Sequence, residues 1–119
     1  MSIRTERVAA LIKQELSQFL MRDVDTAAYG LVTITDVFVT ADLRLAKVYV
    51  SFFGTDKTKE ECLEFIEEHA REMRMAIGKA VRLKFTPELR FFIDETQERA
   101  QRIEELLKQI HEEEENRGK

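Results

Sequence analysis

"LVTITDVFVT" (residues 31–40), "ADLR" (41–44) and "LAKVYVSFF" (45–53) decide the architecture of this chain. Both longer segments are rich in β-branched and aromatic residues, which suit a pleated, half-buried surface. In the second, Ala46, Val48, Val50 and Phe52 fall on one face, and Lys47, Tyr49 and Ser51 on the other. In the first the alternation slips: Val32 and Ile34 share one parity, Val37 and Val39 the other. A β-bulge near Asp36 would produce that slip, and burial on both faces would tolerate it. The short polar connection predicts an antiparallel hairpin.

Upstream, Val8, Leu11, Ile12, Leu16, Phe19 and Leu20 repeat at three and four residues, which predicts a helix over 3–21 with Ser2 as its N-cap. Residues 23–30 read as a loop. Downstream, "GTDKTKEE" (54–61) closes the hairpin, and Thr58 with Glu61 forms a capping box. A helix should follow from about Lys59 to Leu83, with Ile66, Ala70, Met73, Ile77 and Ala80 or Val81 as its buried stripe. Its length leaves room for a kink. Pro87 opens a third strand, Glu88 to Ile93, in which Leu89, Phe91 and Ile93 alternate. Asp94 and Gln97 pair as an N-cap for a last helix, from about Glu95 to Ile110, carrying Ile103, Leu106, Leu107 and Ile110. "HEEEENRGK" (111–119) has no apolar anchor and reads as a frayed or disordered acidic tail. The expected fold is a single α+β domain over 1–110, in the order α-β-β-α-β-α. A three-stranded sheet carries the long helix and the N-terminal helix on one face.

The chain has 119 residues, 44% of them apolar and 35% charged, enough for one modest core. One cysteine, Cys62, cannot form an internal disulfide. Charged residues near the start and the absence of a long apolar run argue against a signal peptide or a membrane span. A cytoplasmic, monomeric protein is the expectation.

The net charge of −4 conceals segregation. Residues 1–22 hold four basic and two acidic side chains, and residues 71–93 hold six and two; the stretches 23–70 and 94–119 are acidic. Local charge governs what a surface attracts. At helical spacing Arg71, Arg74, Gly78 and Arg82 form one row away from the buried stripe, with Lys79 beside it and Lys84 beyond it. Arg4 and Arg7 supply a second basic cluster. As a functional surface, this row tracks phosphates through guanidinium forks, and Gly78, lacking a Cβ, admits a sugar–phosphate backbone. As a purely structural feature, it is a solvated face, and Gly78 marks a kink or close packing. Only Glu72 and Glu88 lie within 71–93 to neutralise the row, which favours the functional reading. The candidate phosphate-binding residues are therefore Arg4, Arg7, Arg71, Arg74, Gly78, Lys79, Arg82 and Lys84.

"RVAALIKQEL", "VTITDVFVTADLRLAKVYVSFFG", "IGKAVRLKFTPELRFFID" and "RIEELLKQI" resemble, in order and spacing, the ribosome-binding factor A family over about residues 3–110. The resemblance implies a KH-type RNA-binding domain of the second topological type. It also implies a non-enzymatic assembly factor that binds the immature small ribosomal subunit and its rRNA. Many members carry Ala-x-Gly at a kink in the long helix, where this chain has His69-Ala70-Arg71. Many also carry Asp-Pro-Arg before the first strand, where this chain has Asp25-Thr26-Ala27.

Other chemistry is sparse. Cys62 reads as a small core residue, His69 as a helix residue at the core boundary, and His111 as part of the tail. Asp36 and Asp42 read as turn and capping groups. Tyr49 could stack on a base, but a strand tyrosine packed under a helix is the simpler reading. No phosphate-binding glycine loop, metal-ligand pattern or nucleophile–base constellation is present, so no cofactor, metal or small-molecule substrate is expected. The rival to an RNA-binding factor is a protein-interaction module of similar build; an enzyme with an unrecognised site comes third.

Overall fold

The computed structural model describes residues 3–95. Helix α1 (Ile3–Asp23) is followed by a single 3-10 turn (Ala27–Tyr29) and strands β1 (Leu31–Val39) and β2 (Leu45–Phe53). Helices α2 (Lys59–Glu68) and α3 (Ala70–Ala80) then lead to strand β3 (Glu88–Ile93). The sheet order is β1-β2-β3: β2 lies in the middle, antiparallel to β1 and parallel to β3. The last helix expected after Glu95, the acidic tail and the Ser2 cap lie outside the described residues.

The hairpin forms as the sequence predicts. Its register shifts between Ile34 and Asp36, so the slipped alternation is a bulge that re-aims Val37 and Val39 inward. Asp36 Oδ1 accepts from the Val37 N–H at 2.9 Å beside the shift. At the turn, Leu43 adopts φ 60°. Asp42 Oδ1 accepts from the Thr40 hydroxyl at 2.7 Å and from the Arg44 N–H at 3.1 Å. The Thr40 hydroxyl first, and then the Arg44 N–H, hold the Asp42 carboxyl below its ordinary value. Gly30 precedes β1 with φ 74°, and a Cβ there would meet the Phe53 carbonyl oxygen at 2.2 Å. Only glycine lets the two backbones approach so closely.

One face of the sheet carries the core. Val48 and Val50 from β2 pack with Ile12 and Leu16 of α1, Ile66 of α2, and Met73 and Ile77 of α3, all fully buried. Each such side chain stabilises by about 1.5–3 kcal/mol through apolar burial. Tyr29 anchors the loop before β1 by stacking on Phe65 at 3.9 Å between ring centroids. The opposite parity, Lys47, Tyr49, Arg90 and Phe92, lies on the other face. Tyr49 is therefore not packed under any described helix; it sits in an aromatic row with Phe92 at 5.3 Å and Phe38 at 5.7 Å.

The long helix takes the kinked alternative, breaking at His69, and it ends at Ala80, three residues earlier than expected. The Thr58 hydroxyl caps α2 as expected, accepting from the Glu61 N–H at 3.1 Å. At His69 (φ −95°, ψ 1°) the N–H donates to Ile66 and the carbonyl accepts from Met73, so one residue leaves the helical path between two intact segments. That bridge-region conformation is open to any side chain, so the break forms without a glycine at this place. After Ala80, Val81 turns extended (φ −117°, ψ 122°) and buries its branched side chain in the core. The Glu88 N–H then donates to the Arg44 carbonyl at 2.8 Å, tying the start of β3 to the hairpin.

Candidate nucleic-acid interface

The early end of α3 dissolves the expected arginine row. Arg82 lies beyond the helix in extended chain, so helical spacing no longer aligns it with Arg71 and Arg74. Arg74 turns back onto its own chain: Nε donates to the Pro87 carbonyl and NH2 to the Thr86 carbonyl, each at 3.2 Å. Gly78 is an ordinary helical residue facing the same passage. A Cβ there would meet the Thr86 hydroxyl oxygen at 3.1 Å, so the close approach that Gly78 permits is made by Thr86. Arg74 and Gly78, one helical turn apart, together seat the 83–87 passage against α3. Arg71 is exposed.

Lys79 points into a different setting. An open cleft of about 580 Å³ separates the C-terminal half of α1 from α3, and Lys79 shares it with Arg22, Glu15, Asp23 and Glu72. Three carboxylates outnumber two cations there, and Arg22 lies 3.8 Å from Glu15. His69 Nδ1 lies 3.9 Å from the Glu72 carboxylate, and its ring meets Phe65 edge-on at 5.3 Å.

The basic surface gathers at the N-terminal end of α1. Arg4 lies there beside the hairpin turn and the chain leaving α3. Arg4, Arg44, Lys84 and Phe85 line one basin of about 360 Å³, with Asp42 as its carboxylate. Arg7 follows Arg4 on α1, and Arg82 precedes Lys84; both are exposed. Phe85 is 55% exposed, with the Arg44 guanidinium 5.3 Å and the Lys84 ammonium 5.6 Å from its ring centroid. Of the eight residues expected from the sequence, Arg4 and Lys84 thus share one basin. Arg44 and Phe85 complete it, and sequence reasoning missed them. The adjacent pair Lys84-Phe85, a cation beside an aromatic, was the available signal for the second; nothing local marked Arg44.

Elsewhere chemistry is quiet. Cys62 is buried, and burial first, then the neighbouring Glu61, pushes its thiol above the ordinary value, away from the reactive thiolate. Among the described residues, no group of three or more histidine, cysteine or acidic side chains could hold a metal, and no helix is long and apolar enough to cross a membrane.

Comparison with known proteins settles the family. The model of the family described as Ribosome-binding factor A matches residues 4–107. The chain belongs to the ribosome-binding factor A family. A family member from Halothermothrix orenii is 41% identical over 113 residues, covering 95% of this chain and 93% of the relative. One from Chlorobium phaeobacteroides is 40% identical over 117 residues, covering 97% of this chain and all of the relative. The crystal structure of ribosome-binding factor A from Thermus thermophilus superposes with a TM-score of 0.65 at 24% identity, over 75% of this chain and 94% of that one. Coordinates of the Thermus thermophilus factor fitted into an electron-microscopy map of a 30S complex give a TM-score of 0.61 at 24% identity, over 73% and 91%. The fold is accordingly KH-like, as the family resemblance implied.

Proposed function

We propose that this protein is an rRNA-binding assembly factor that acts on the immature small ribosomal subunit in the cytoplasm, as a monomer and without catalysis, in the maturation of 16S rRNA. The observation that carries the reading is family membership across nearly the whole chain, together with the fitted 30S complex of the Thermus thermophilus factor. The basin at the hairpin end supports it physically. Arg4, Arg44 and Lys84 converge there with a single carboxylate among the described residues, and Arg7 and Arg82 extend the charge along the surface. Cations so placed neutralise phosphates and release counterions. Arg71 is exposed on α3, Lys79 stays among the carboxylates of the cleft, and Arg74 and Gly78 act by holding the connecting passage in place. The test is crosslinking to purified immature small subunits with nucleotide-level mapping, alongside affinity measured against salt. Five phosphate contacts, from Arg4, Arg7, Arg44, Arg82 and Lys84, give a log–log slope of about −3.5 to −4.5. Binding that ignores salt and maps to ribosomal proteins would favour the protein-interaction module instead.

A further inference from the structure

Phe85 has no structural work that explains its position. It sits on the surface between the end of α3 and β3, outside the core cluster, and leaves more than half of its surface in water. Two other exposed phenylalanines, Phe38 and Phe92, both meet Tyr49 ring to ring on the sheet. Phe85 has cations in place of aromatic neighbours. Arg44 arrives from the hairpin and Lys84 from the adjoining residue, each within 6 Å of the ring centroid, the range in which a cation is held by the negative face of an aromatic ring. Arg4 reaches the same basin from α1. Three separate parts of the chain therefore bring positive charge to the one basin that this exposed ring lines.

We infer that Phe85 is a stacking platform for an unpaired rRNA base, with Arg4, Arg44 and Lys84 holding the phosphates on either side of that nucleotide. The inference rests on the rRNA-binding reading and narrows it to single-stranded nucleotides at this basin. The chemistry fits in each part. Unstacked bases present a π-face that pairs with aromatic side chains and with guanidinium planes. Stacking is tolerant of sequence because every base has such a face, and the phosphates need cations a few ångströms away. A duplex would offer the ring no base to stack on. A protein partner would use Phe85 as an apolar anchor, but two cations against the ring and a third in the same basin suit an anion-bearing ligand better.

Two measurements test this on the full-length protein. Phe85→Leu keeps an apolar side chain and removes the π-face. It should leave the thermal midpoint unchanged and weaken binding to immature small subunits by about 5- to 100-fold, the range of one lost base–aromatic stack. A photoreactive benzoyl-phenylalanine placed at position 85 should crosslink to an rRNA base in a single-stranded segment. Unchanged affinity of Phe85→Leu overturns the inference while leaving the rRNA-binding reading intact. So does a crosslink that maps to a ribosomal protein. If the wild-type protein fails to bind the subunit at all, the broader reading falls first, and the inference falls with it.

Discussion

The basin at the hairpin end and the cleft between α1 and α3 each contain cations that the sequence marks as candidate RNA contacts, and they differ in what surrounds those cations. In the cleft, Lys79 and Arg22 face Glu15, Asp23 and Glu72. In the basin, Asp42 is the one carboxylate that Arg4, Arg44 and Lys84 face among the described residues, and it is engaged by Thr40 and the Arg44 backbone. A phosphate entering the cleft meets net negative charge; one entering the basin meets net positive charge. Counting basic residues along a segment misses this, because the neutralising groups come from another element.

Reversing the basin should produce the largest effect. Arg4→Glu with Lys84→Glu should weaken subunit binding at least tenfold in low salt and flatten the salt slope by about 1.5, since each lost phosphate contact removes roughly 0.7 to 0.9. Both side chains are exposed, so the thermal midpoint should hardly move. Undiminished affinity in that folded variant would break the distinction between the two regions.

Arg74→Ala probes the α3 cation that the structure uses internally. It removes two charge-assisted bonds to the Thr86 and Pro87 carbonyls and should cost about 1–2 kcal/mol, a drop of several degrees in the thermal midpoint for a domain of this size. Subunit affinity of the protein that remains folded should change less than in the basin variant. A stable Arg74→Ala protein that has lost binding would return Arg74 to the interface.

Lys79→Glu sharpens the comparison from the cleft side. It adds negative charge where negative charge already dominates, and affinity measured beside the basin variant should fall by less than about threefold, the scale of a screened surface charge. A tenfold loss would make the cleft part of the RNA surface.

Gly78→Ala should have the smallest effect. Alanine gains up to about 1 kcal/mol of helix propensity and loses part of it against the Thr86 hydroxyl, 3.1 Å from the new methyl. In a Thr86→Ala background the gain should be nearly complete. Melting curves of the two single variants and the double variant measure the coupling; full additivity would mean that Thr86 does not constrain position 78.

Much of the fold was legible because its signals are local. Alternating Ala46, Val48, Val50 and Phe52 marked a strand, and the parity slip between Ile34 and Val37 marked the bulge that the register shows. Thr58 announced the start of α2. The helix stripe picked out Ile66, Met73 and Ile77, which are fully buried. The break at His69 and the stop at Ala80 were less legible. A bridge-region residue needs no special side chain, and Val81 leaves the helix because the core offers its branched side chain a better place than one more turn would.

By itself, then, the sequence determined the order of elements from the first helix to the third strand, the face each of them buries and the family to which the chain belongs, since periodicity, caps and motif spacing are properties of neighbouring residues. Only the tertiary structure decided which cations are available. Arg74 is engaged by carbonyls twelve and thirteen residues away, Lys79 is set among carboxylates of α1, and Arg44 reaches Phe85 across the hairpin end. Charge acts through space with whatever the fold brings near, and that proximity is not written in any one segment.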